Sequence, residues 1–136
     1  MISRWIPAVL AAAMMTGCAL FGGKVSLSTS PTMPAAEGSV RFSTTKNDNT
    51  SIVLSVKHLA HPDKLMPPAG SYVVWTKANK DATAQSIGAL KVDSDLSGTL
   101  LAETPLHSFS LFITAEASGQ VQQPTGVPLL WTDFSR

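Results

Sequence analysis

Ser39-Val-Arg-Phe-Ser-Thr-Thr45, a polar break at Lys46-Asn-Asp-Asn49, then Thr50-Ser-Ile-Val-Leu-Ser-Val-Lys57: this stretch decides the fold. Val40 and Phe42 fall on one side of the first run, Arg41 and Ser43 on the other. In the second run Ile52, Leu54 and Val56 oppose Ser51, Ser55 and Lys57. A period of two is the strand period, with one face buried and one wet. Asn47-Asp48-Asn49 between the runs supplies residues that tolerate positive φ, so the two runs read as a hairpin.

The same alternation continues downstream. His61 to Gly70 is a loop carrying Pro62, Pro67 and Pro68. Ser71-Tyr-Val-Val-Trp-Thr-Lys77 is dense in β-branched and aromatic residues and reads as a central strand, with Trp75 expected to fill the sandwich centre. In Gln85 to Val92 the parity of Ile87 breaks against Leu90 and Val92 around Gly88, which predicts a β-bulge. Asp93-Ser-Asp95 is a turn, after which Gly98 to Glu103 is expected to return as the partner strand. Phe109, Leu111 and Ile113 form an inward face, and Val127 to Phe134 a last strand with Pro128 at its start or edge. No segment carries a helical stripe. About seven strands spaced roughly ten residues apart predict an all-β, Ig-like antiparallel β-sandwich, although a small barrel satisfies the same alternation. The expected core is Val40, Phe42, Ile52, Leu54, Val56, Trp75, Phe109, Leu111 and Ile113.

Upstream the chemistry changes. Met1-Ile-Ser-Arg4 is a short basic start, Trp5 to Met15 an apolar run of eleven residues, and Met15-Thr-Gly-Cys18 its end. The run is too short to span a bilayer as a helix and fits the apolar part of a signal peptide. Small residues before a lone cysteine match the bacterial lipobox, with Met15 where Leu is usual. The expected organisation is a cleaved lipoprotein signal peptide over 1–17, a lipidated tether over 18–37 rich in Gly, Ser and Pro, and a sandwich domain over 38–136. Lys24 to Ser28 alternates and could hide a short first strand. Acyl chains on Cys18 would anchor the protein to the membrane, since each buried CH₂ contributes about 0.8 kcal/mol and stable anchoring takes more than one chain. Ala19 after the cysteine, rather than Asp, would sort it to the outer membrane, facing the periplasm, in a bacterium with two membranes.

Without Arg4 the chain has nine Lys plus Arg against nine Asp plus Glu, scattered rather than striped, which argues against a nucleic-acid partner. One cysteine allows no disulfide within the chain. His58-Leu-Ala-His61 has a spacing seen in copper or zinc sites, with Asp63, Met66 or His107 as further donors, but His58 also keeps the parity of Val56 and could sit at the core edge. Asp93-Ser-Asp95-Leu-Ser97-Gly98 resembles the first half of a calcium loop; Thr104 stands where that loop needs a bidentate Glu, so a turn is the better reading. No serine lies in a nucleophile elbow, and no catalytic residue or cofactor is expected.

Val56-Lys-His-Leu-Ala60, Tyr72-Val-Val-Trp75, Ile87-Gly88 with Leu90 and Val92-Asp93, Gly98, Leu100, Phe109 and Ile113-Thr-Ala-Glu116 carry a resemblance over roughly 40–130. The string resembles a group of uncharacterised bacterial envelope lipoproteins and is similar to the extracytoplasmic β-domain of anti-sigma-K-type factors. The resemblance implies a shared sandwich and a sensing or docking surface. It does not imply sigma regulation, because a lipobox leader stands where those factors carry a sigma-binding segment and a membrane helix. The expected function is a non-enzymatic, membrane-anchored envelope lipoprotein whose sandwich contacts an envelope protein or plays a structural part. A small metal-binding envelope protein and an envelope-stress sensing module are the alternatives.

Overall fold

A computed structural model describes residues 23–136. In chain order the strands are β1 (Val25–Ser26), β2 (Ser28–Thr29), β3 (Glu37–Thr44), β4 (Thr50–Lys57), β5 (Ser71–Lys77), β6 (Gln85–Leu90), β7 (Gly98–Thr104), β8 (Ser108–Glu116) and β9 (Leu130–Ser135). They form two separate antiparallel sheets, ordered β1-β3-β4-β7 and β2-β9-β8-β5-β6. This is an all-β sandwich and not a closed barrel. The only helical turn among the described residues is a short 3₁₀ segment, Pro62–Lys64.

The decisive hairpin forms as its pattern requires. β3 and β4 pair from Thr44↔Thr50 to Glu37↔Lys57 without a slip, and Asp48 takes φ 63° in the turn. Val40, Phe42, Ile52, Leu54 and Val56 point into the core, where Phe109, Leu111 and Ile113 meet them from β8. Phe42 stacks on Phe134 at 4.2 Å between ring centroids and meets Phe109 edge-on at 5.7 Å, closing one end of the core.

Trp75 departs from its expected place. The ladder sets Val74 opposite Ile113 and Trp75 opposite Phe112. Residues directly opposite share a face, so the inward Ile113 takes Val74 inward and leaves Trp75 outward. Tyr72 and Val74 therefore join the main core, while Trp75 is fully buried in a second cluster on the outer face, with Val73 and Ala84 and against Phe112 and Val121.

Two further expectations are corrected. Gly98 to Glu103 does not return beside β6: β6 pairs with β5, and β7 crosses to pair with β4 in the other sheet. The Asp93 carboxylate accepts the N–H groups of Asp95 (2.9 Å) and Ser97 (3.0 Å). Leu96, at φ 60°, then offers its carbonyl to the Leu59 N–H at 2.9 Å, which steers the chain into the other layer. Nor is the whole of 18–37 a tether. β1 pairs with β3 and β2 pairs with β9, and Leu27, where the chain crosses between the two sheets, is buried along with Ala36. The bulge at Ile87–Gly88 is present, opposite the Val74–Trp75 step, with Gly88 at φ 145°.

Candidate functional site

Three connections meet at the end of the sandwich opposite the β3–β4 turn: Ser30–Ala36, His58–Gly70 and Ala117–Leu129. Between them lies an apolar groove of about 620 Å³. Met33, Leu65, Met66, Val127 and Leu129 form its walls, with Lys64 at the rim and Glu116 among its lining residues. Met66 is 95% exposed and Val127 71%. The proline loop is held by the Tyr72 hydroxyl, which donates to the Ala60 carbonyl at 2.6 Å, and by the Gly70 N–H, which donates to the Glu116 carbonyl at 2.8 Å. Burial pushes the Tyr72 phenol up to about 12, so it stays a donor throughout the ordinary pH range.

Glu116 is 2% exposed, and its carboxylate is fully engaged. It accepts N–H bonds from Thr125 (3.1 Å) and Gly126 (3.2 Å) and hydroxyl bonds from Thr114 and Thr125. The Thr114 hydroxyl in turn accepts the Trp75 indole N–H at 2.8 Å. Burial alone would raise the Glu116 pKa. The hydrogen bonds from Thr114, Thr125 and Gly126 outweigh it, and the carboxyl is held below its usual range. This carboxylate pins the β8–β9 loop, which carries Val121 against the Trp75 cluster. With every acceptor site used, it is not free to act as a base. The hint in the sequence was that Thr114 and Glu116 share one strand face; the partners at 75 and 125 are too distant in sequence to be read from spacing.

The histidines are not brought together. His58, at φ 56°, turns outward, its ring 4.0 Å from the Glu37 carboxylate, while Leu59 takes the buried place beside it. His61 is half-buried ahead of the 3₁₀ turn. His107 lies at the other end of the sandwich, 2.9 Å from the Asp48 carbonyl and 3.3 Å from its carboxylate. Among the described residues no three His, Cys, Asp or Glu side chains are grouped to hold a metal. Asp93 serves its turn. Cys18 and the segment expected to be a leader lie outside the described residues.

No protein-family model, no curated protein and no solved structure matches the chain. The reading of the site therefore rests on its own geometry.

Proposed function

We propose that this is a lipid-anchored envelope protein, tethered through Cys18, whose sandwich holds an apolar segment of another envelope protein in the groove and carries out no catalysis. The observation that carries the reading is the groove itself. Met66 and Val127 stand almost bare beside Met33, Leu65 and Leu129 on loops that Glu116 and Tyr72 hold in place. A clustered apolar surface on a rigid frame is what a protein contact uses, and methionine adapts to partners of varied shape. The Cys18 motif supports a position for that surface in the cell envelope, on the outer membrane where the organism has two.

Palmitate labelling in growing cells should mark the chain and be lost in Cys18→Ser. A photo-crosslinking residue at position 66 should give a discrete adduct with one envelope protein in intact cells, and the same probe at position 47, at the opposite end, should give none. Unlabelled protein removes the anchor; no adduct at 66, or equal adducts at both positions, removes the groove.

A further inference from the structure

The two sheets end in four edge strands, β1 and β7 in one sheet, β2 and β6 in the other. An edge strand presents unpaired N–H and C=O groups that template a further strand unless something blunts them. β1 and β2 have two residues each, too few to template a partner. β6 carries the bulge at Ile87–Gly88, which twists its edge away. β7 has no such protection. It is seven residues long, Gly98-Thr-Leu-Leu-Ala-Glu-Thr104, without Lys, Arg or Pro, in unbroken register with β4 along one side. Along the other it has no strand partner among the described residues. Leu101, at its centre, is 72% exposed, and its register neighbour on β4, Val53, is 39% exposed.

We propose that β7 pairs antiparallel with β7 of a second copy about a two-fold axis at Leu101, joining two four-stranded sheets into one of eight. Self-complementarity selects a second copy as the occupant. The register that pairs all seven residues sets Leu101 against the partner's Leu101, Leu100 against the partner's Ala102 and Thr99 against the partner's Glu103. Glu103 is the only charge in the strand, and the two-fold places it opposite a hydroxyl rather than its own copy. On the outer face, Val53 and Leu101 of both copies form one apolar row. Leu100 and Ala102, half-buried on the inner face with Leu100 lying beside Gly88 of β6, face their counterparts across the axis. This surface shares no residue with the groove, so it stands or falls independently of the proposed function.

The test uses the full chain in detergent. Sedimentation should show a dimer that dissociates on dilution. Leu101→Cys should give a reducible covalent dimer above the background set by Cys18 in the unsubstituted chain, because directly opposed Cα atoms lie about 4.5–5.5 Å apart, within disulfide reach. Val53→Cys, with strand spacing leaving roughly 14 Å between the two copies, should not. Leu101→Lys sets like charges on the axis and should weaken association roughly tenfold or more, while leaving the melting temperature unshifted at dilutions where the native chain is monomeric, since the side chain is exposed in the single copy. The proposal is overturned by a chain that stays monomeric at every concentration, by Val53→Cys cross-linking as readily as Leu101→Cys, or by a dimer that survives Leu101→Lys.

Discussion

At the scale of the residue, Glu116 is the most consequential side chain in the structure. Its chain of hydrogen bonds runs from the Trp75 indole through Thr114 to the carboxylate and on to Thr125 and Gly126. Bonds to an ionised acceptor are the strong kind, and leaving buried donors unmet is costly. Glu116→Gln sets an amide donor against groups that already donate, and should cost about 2–3 kcal/mol at neutral pH in urea denaturation. The pH dependence has a definite sign. The folded carboxyl is held below its ordinary value of 4.5, so its contribution is complete above that value and fades as the pH falls through the folded pKa. The stability gap between the native chain and Glu116→Gln should therefore shrink on acidification below about 4.5. A gap that is constant with pH would mean the carboxylate is not the source. Trp75→Ala removes a fully buried ring and should cost about 3–5 kcal/mol; a loss below about 1 kcal/mol would show that the outer cluster contributes nothing.

At the scale of the element, close approach between segments sets the next prediction. Gly38 faces the side chains of Leu27 and Leu130, whereas a Cβ on Gly70 would run into the backbone carbonyl of Ala117. Side-chain ends can turn aside, and a carbonyl fixed between β8 and its loop cannot. Gly38→Ala should thus cost about 1–2 kcal/mol, and Gly70→Ala distinctly more, ranked by thermal melts of the two variants. Equal costs would mean that the proline loop moves as easily as a side chain. These elements also show what the chain discloses by itself. β3 and β4 were legible because each buries one face, so alternation reports orientation directly. In β5 every residue from Tyr72 to Thr76 is buried, both faces being covered, and a continuous apolar run cannot say which parity faces the core. Trp75 was misplaced for that reason. The Asp93 turn was legible as a turn, but the sheet to which it delivers β7 depends on a contact with Leu59 that no local pattern encodes. The groove escaped notice for a similar reason: its walls come from three loops far apart in sequence, joined only by the topology.

At the scale of the whole molecule, the residues from 24 to 37 bind the sandwich together. The Leu27 N–H donates to Gly38 in one sheet and the Ser30 N–H to Leu129 beside the other, each at 2.8 Å. Between them Leu27 and Ala36 lie buried, and Met33 packs on the core while lining the groove. A segment that crosses from one sheet to the other closes the seam between the layers, as a free linker could not. It also shortens any tether: Val25 is seven residue steps beyond Cys18, so a lipid on Cys18 would hold the sandwich within about 25 Å of its anchor point. A chain beginning at residue 24 should unfold in urea at the same midpoint as the full chain. A chain beginning at residue 38 loses the burial of Leu27 and Ala36, opens the apolar groove and should be less stable by at least about 3 kcal/mol, given that burying one large aliphatic side chain contributes about 1.5–3 kcal/mol. It should also bind a dye sensitive to exposed apolar surface, where the longer chain does not. Equal midpoints for the two would return these fourteen residues to the role of a spacer, and would leave the groove without one of its walls as a structural requirement.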